Sequence, residues 1–398
     1  MKLFDDSVRT YEGLREPRES IYQFLNRSAR LEYEETRNLL ERWFQDYPEP
    51  YKLNLSKEFR SKPDKQHLGA FFELYCYSLF CVQGFDIKPQ QVVDKMKGNP
   101  VDFLIKSANT PLLYLEATIA ADSDKASISQ KILWQLHDVL STIHEPNFLI
   151  EINVERESTH ILPIKKMRSD LQGWLQKLDP NEIIRKRTVL EHDALPHCYY
   201  EHNGWKIVFY AIPRSIDGQG QANKTVVYQL SEAGKVEEEN SLRDALETKA
   251  KKYGNFELPF VIAVDVLATD SFGTDIGEIL FGKEVILFDR QSEDFSLTRS
   301  PLLPDRPSEE NGFWRARKRA RNQQVSALLL VEDLMPWSVA RKTPVLWHNP
   351  WAERPLDPNI WQGPQMIPNM DAPEPYMQER AGKKGHEIFH LQPGGENT

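Results

Sequence analysis

Three carboxylates stand among apolar neighbours: Glu73 in Phe71-Phe72-Glu73-Leu74-Tyr75, Asp102 in Pro100-Val101-Asp102-Phe103-Leu104-Ile105, and Glu116 in Leu113-Tyr114-Leu115-Glu116-Ala117-Thr118. A carboxylate in such surroundings is costly unless a proton, a cation or hydrogen-bond donors compensate it. Strand alternation places Asp102 with Leu104 on one face, and Tyr114, Glu116 and Thr118 together on one face of the next strand. If these strands are antiparallel neighbours, the 14-residue separation of Asp102 from Glu116 brings both carboxylates onto one face. Two or three converging carboxylates form an oxygen-ligand site suited to Mg²⁺ or Mn²⁺, with the Ala117 carbonyl as a further ligand. The competing account is a structural network whose acids are satisfied by backbone amides.

The elements that must position these groups can be read from periodicity. Glu73 falls in a strongly apolar helix over 67–83, with Leu68, Phe72, Tyr75, Leu79 and Val82 on one face. Short β-prone runs at 85–93, 101–106 and 112–120 are separated by Lys97-Gly98-Asn99-Pro100 and Ala108-Asn109-Thr110-Pro111, which predicts a three-strand meander. A helix over 127–143 and a strand over 148–155 follow. The order helix, three-strand meander, helix, strand is an α/β unit about one domain long.

Upstream, residues 1–65 read as a helical N-terminal cap, with Leu39, Leu40 and Trp43 at helical spacing and Lys57, Arg60, Lys62 and Lys65 in a basic connector. Residues 66–160 hold the three acids. Residues 161–343 form a second α/β region or an extension of the first sheet, with helices expected at 165–178 and 242–253 and strands at 205–212, 260–267, 285–289 and 325–332. From residue 344 onward, nine of the 26 prolines preclude regular structure throughout. Trp347, Trp351 and Trp361 predict that this 344–398 tail packs in extended form at first, with 379–398 mobile.

The acids in this context resemble the PD-(D/E)xK nuclease superfamily, the restriction-endonuclease-like fold: Glu73 on a helix, Pro100-Val101-Asp102 on a strand and Glu116-Ala117-Thr118 on the next. The resemblance covers about residues 66–155. It implies that Asp102 and Glu116 hold a divalent metal, that Glu73 assists, and that a lysine two residues after the glutamate orients and activates the attacking water. Val101 is an extra residue in the first motif, and Thr118 stands where the lysine is expected. A hydroxyl positions water but supplies no cation to a developing negative charge. In several branches of the superfamily a glutamine or relocated lysine on the following helix compensates, which points to Gln130 and Lys131, 14 and 15 residues after Glu116, with Lys125 in the loop between. Ordinary surface exposure is the alternative for both lysines. The activity so implied is metal-dependent hydrolysis of DNA phosphodiesters, in restriction, repair or defence. The alternative, motivated by Thr118, is an inactive nuclease-like nucleic-acid-binding or scaffold protein.

Composition narrows the remaining choices. A net charge of −9 opposes adhesion to nucleic acid over the whole surface, and leaves room for a local cationic groove. No stretch reaches the roughly 18 apolar residues needed to cross a bilayer, and Met1-Lys2-Leu3-Phe4-Asp5-Asp6 has no secretion-like apolar run, so no membrane partner and a cytoplasmic location are expected. Cys76, Cys81 and Cys198 form no CxxC, which argues against a disulfide scaffold or structural zinc. His192, His197 and His202 recur at intervals that match neither a helix nor a strand face, and Gly218-Gln219-Gly220 lacks the rest of a phosphate loop. Lys249, on the helix expected at 242–253, reads as a solvent-facing lysine, with a functional role as the alternative.

One segment has the charge that DNA requires. Arg315, Arg317, Lys318, Arg319 and Arg321 follow Phe313-Trp314, giving five cations in seven residues with no acid. Such a run neutralises phosphates and stacks on bases, or forms a solvated face. Charge reversal at Arg317 and Arg319 is expected to lower DNA affinity and flatten its salt dependence in anisotropy titrations; an unchanged slope would assign the segment to solvent.

Overall fold

The structure, a computed structural model, describes residues 1–398 except 14, 17–18, 93–98, 121–131, 134, 137–138, 141–142, 144, 187–194, 215–218, 220–225, 230–231, 254–255, 268–275, 283–311, 316–319, 374 and 393–398. The strand expected at 285–289 lies outside the described residues, as do Gln130, Lys131 and Lys125.

Four helices open the chain: α1 (Ile21–Arg27), α2 (Leu31–Asp46), α3 (Glu49–Phe59) and α4 (Asp64–Cys81). Ser20 and Gln23 close a capping box on α1, and the chain breaks between α3 and α4 around Pro63. Helix α4 is buried nearly all round, with Leu68, Phe71, Phe72, Leu74, Tyr75 and Leu79 at 2% exposure or less. A helix apolar on every side must lie between layers, and α4 packs on the sheet beneath and on α1–α3 above.

The sheet begins as the expected meander: β1 (Asp86–Val92), β2 (Pro100–Ser107) and β3 (Thr110–Ala120), all antiparallel. Ala108 and Asn109 both take positive φ (47° and 68°), the backbone of a tight two-residue hairpin turn. Beside β3 lies β8 (Phe260–Val266), parallel, with Glu116 opposite Ile262. Every residue of β8 is buried, as the apolar run from Phe260 to Val264 predicts for a strand covered on both faces, and the buried Asp265 that follows accepts the Leu334 N–H at 3.1 Å. Parallel β9 (Ala327–Glu332), then β10 (Val345–His348), β11 (Gln365–Asn369) and β12 (Tyr376–Arg380) complete an eight-stranded sheet in the order β1-β2-β3-β8-β9-β10-β11-β12.

The architecture is mixed α/β, as expected, with one correction inside it. β4 (Phe148–Arg156) does not join the meander. It pairs with β6 (Trp205–Pro213) and β7 (Val226–Gln229), and with β5 (His197–His202) they form a second sheet ordered β5-β6-β4-β7. Phe148, Ile150, Ile152, Trp205, Ile207 and Phe209 share a separate core with residues from α5 (Ile164–Leu175) and with Ile132, Leu136 and Leu140. A short helix, α6 (Pro180–Lys186), also belongs to this stretch. Residues 121–231 are thus inserted after β3. The parallel crossover that β3 and β8 require is made by α7 (Glu232–Lys252), whose Leu242, Leu246 and Ala250 pack with Tyr253 on Ile262 and Val264. The order α4, β1–β3, α7, β8 is therefore continuous in space and interrupted in sequence.

The C-terminal expectation also changes. Three strands of the 344–398 tail pair into the sheet, and within the stretch expected to be mobile residues 379–392 are held in place: after α8 (Ile276–Phe281) and the last strands, α9 (Gly385–Ile388) leads to Phe389, buried between Trp43 and Tyr75 with ring centroids 5.0 and 5.3 Å away, while 393–398 lie outside the described residues. Burying an aromatic ring outweighs the freedom of a chain end. Phe389→Ala is expected to lower the urea unfolding free energy by about 3–4 kcal/mol; no change would mean that the end does not hold α2 to α4.

Candidate functional site

Asp102 and Glu116 meet where β2 and β3 part. The ladder between these strands ends at Phe103 opposite Leu115, while β2 continues to pair with β1 through Pro100 opposite Val92. Beyond that point side chains replace backbone partners. The Asp102 N–H donates to Glu116 Oε2 at 3.2 Å, and the Ala117 N–H donates to Asp102 Oδ2 at 2.8 Å. Phe103 and Leu115 turn to α4, whereas Val101 and Tyr114 pack in the core that α7 covers, so the strict alternation of β2 does not run through Asp102. N–H and C=O of one residue point the same way in a strand, so the Ala117 carbonyl is aimed into the same opening as the Asp102 carboxylate.

Glu116 is fully buried, yet both its oxygens are filled. Oε1 accepts from Lys249 Nζ at 2.7 Å and from Lys252 Nζ at 3.0 Å; Oε2 accepts the Asp102 N–H and the Tyr253 hydroxyl. Lys249, Lys252 and Tyr253 sit at i, i+3 and i+4 on α7 and the turn after it, so one helix face delivers all three donors. The expectation of a solvent-facing Lys249 is thereby corrected. Leu242, Leu246, Lys249 and Tyr253 follow one another at steps of four, three and four, which places Lys249 within the core-facing stripe. That spacing was the available signal; the charge of lysine conceals it.

Burial chiefly pushes the Asp102 carboxyl up to about 7, with the Glu116 charge adding to it and Lys249 and the Ala117 N–H opposing. Burial likewise raises Glu73 above the ordinary carboxylate range, opposed by the Tyr47 hydroxyl, which donates to Glu73 Oε1 at 2.6 Å. Glu73 senses Glu116 and Lys249, and Asp102 senses Glu73, so the helix acid belongs to the same electrostatic cluster from across the sheet. Its direct partner is Tyr47, which periodicity did not single out. Among the described residues no group of three or more His, Cys, Asp or Glu side chains stands in metal-ligand geometry.

Of the basic run, Arg315 and Arg321 form a backbone bridge, and residues 316–319, with Arg317, Lys318 and Arg319, lie outside the described residues. Arg321 reaches Glu247 Oε1 at 3.0 Å, Asn322 donates to the same atom at 3.1 Å, and Gln324 donates to the Ala250 carbonyl at 3.2 Å. The run is thus rooted on the last turns of α7, the helix that carries Lys249. Among the described residues no helix is long and apolar enough to cross a membrane. No protein-family model, curated protein or solved structure matches the chain, so its chemistry rests on this geometry.

A carboxyl held near 7 in the fold and near 3.8 when unfolded carries an extra proton in the fold between those values. Stability from this group therefore falls as pH rises through about 4 to 7, by at most about 1.4 kcal/mol per unit. Asp102→Asn is expected to flatten this fall in denaturant titrations across that window; an unaltered profile would remove Asp102 as its source.

Proposed function

We propose that the chain is a divergent metal-dependent nuclease of the restriction-endonuclease-like kind, hydrolysing DNA phosphodiester bonds with Mg²⁺ or Mn²⁺ held by Asp102, Glu116 and the Ala117 carbonyl. The observation that carries this reading is Lys249 Nζ at 2.7 Å from Glu116 Oε1. The resemblance asks for a cation beside this glutamate, supplied from the following helix when Thr118 replaces it. In space that helix is α7, because 121–231 is an insertion, so Lys249 takes the role first sought in Gln130 and Lys131. The spatial order helix, three strands, helix, strand fits the same fold.

The donor set suits Mg²⁺, which keeps several waters and commonly takes one or two carboxylates. Asp102, Glu116 and the Ala117 carbonyl would hold the ion, which would supply polarisation of the phosphate and a lowered pKa for the attacking water. Asp102, short of compensating charge, supplies the ligand that most gains from a cation. Lys249 holds Glu116 and orients the water; Glu73, set by Tyr47, contributes negative charge behind Asp102. The cationic segment rooted on α7 supplies phosphate contacts, consistent with a role in restriction, repair or defence.

A second reading, an inactive nucleic-acid-binding or scaffold protein, draws on one observation: all acceptor positions of Glu116 are filled by protein donors. The two part in a single assay. With Mn²⁺ or Mg²⁺ and linear, nicked or single-stranded DNA, wild type is expected to degrade substrate. Glu116→Ala is expected to lose this activity, and Lys249→Met to lose roughly 10²–10³-fold in rate. Equal activity of wild type and Glu116→Ala would detach any nuclease activity from this site, and inactivity of both, with no thermal shift from Mn²⁺, would favour the inactive relative.

A further inference from the structure

Glu116 has no room for a fifth partner. A carboxylate offers about four lone-pair positions, and Lys249, Lys252, Tyr253 and the Asp102 N–H use four. A divalent cation that binds Glu116 must therefore displace a donor. The Asp102 N–H is backbone, fixed by the pairing of β2 with β1. Tyr253 is 6% exposed and packs on Phe256 and Phe260.

The choice falls between two lysines on one oxygen, and they are not equivalent. Lys249 lies at 2.7 Å with its side chain 21% exposed, inside the core-facing stripe. Lys252 lies at 3.0 Å with 36% exposure, is the last residue of α7, and rests its ammonium over the Tyr253 ring at 5.0 Å. Lys252 is the easier of the two to return to water, because it stands at the helix end with more of its side chain already exposed and a flexible stem that lets its ammonium swing outward. Repulsion by an arriving dication favours the same departure.

We propose that Lys252 is a displaceable counter-ion: it neutralises Glu116 in the metal-free protein, yields its place on Oε1 to the divalent cation, and presents its freed ammonium to a phosphate of the DNA backbone. The inference rests on the nuclease reading for the identity of what arrives. Metal binding thereby gains a second consequence, one additional phosphate contact, and the site becomes attractive to DNA only when loaded. Lys249 remains on Glu116 throughout.

The test needs no turnover. Mn²⁺ is titrated calorimetrically into wild type, Lys252→Met and Lys252→Gln without DNA, and duplex binding is then measured against salt in Ca²⁺ and in chelator. Removing the competitor is expected to tighten Mn²⁺ binding by about two- to fivefold, the measure of a partly exposed ion pair. The same variants are expected to bind DNA more weakly in Ca²⁺, with a salt slope shallower by about 0.9, the share of one phosphate contact, and to match wild type in chelator. Tighter metal with weaker DNA is a combination that a purely structural lysine does not produce. Unchanged or weaker Mn²⁺ affinity in both variants overturns the exchange. If wild type meanwhile cleaves DNA and Glu116→Ala does not, the nuclease reading stands without it; if no protein binds Mn²⁺, both fall together.

Discussion

A fully buried carboxylate, Glu116, is the constraint around which the centre of this protein is arranged. Left alone, such a group would take up a proton or oppose folding. Instead it collects donors from residues 14 positions behind it and 133 to 137 ahead of it. The end of β2, the middle of β3 and the C-terminal turn of α7 are consequently held in one arrangement by one side chain. Removing any single ammonium leaves three donors; removing the carboxylate leaves two lysines and a hydroxyl facing an apolar strand pair.

The parting of β2 from β3 follows from the same contact. Where a ladder would continue, two carboxylates accept the backbone N–H groups, so no amide is orphaned and the Ala117 carbonyl is turned toward the gap. This arrangement leaves the pair of acids short of positive charge: Asp102 is held near neutrality by burial and by Glu116 even with Lys249 nearby. Affinity for an added cation and the need for protein cations are thus two sides of one imbalance. Within an overall charge of −9, Lys249 and Lys252 of α7 and Arg321, paired with Glu247 of the same helix, gather positive charge around the last turns of α7.

The inserted sheet explains how a long interruption is tolerated. The described residues between β3 and α7 carry a core of their own and a separate sheet, so the packing of the main sheet does not depend on them. Loop-closure cost grows only slowly with length, and the crossover helix still returns to seat β8 beside β3. Phe389 ties the other end of the chain to α2 and α4, opposite the layer that α7 covers.

Read by itself, the sequence determined what is local. Alternation and turn residues set β1, β2 and β3, the apolar density of 67–83 pointed to the helix that runs from Asp64 to Cys81, and the closeness of Asp102 to Glu116 followed from a short hairpin between neighbouring strands. Tertiary structure alone decided which distant segments adjoin them. β8 rather than β4 lies beside β3, in keeping with its burial on both faces, whereas β4 carries part-exposed positions and charged residues at its end. Proline-rich strands found edges to pair with, and Lys249 left the solvent because its place in the stripe of α7 aims it at a buried carboxylate. Periodicity records which side of an element faces inward; what waits there is fixed by the burial of surfaces far apart in the chain.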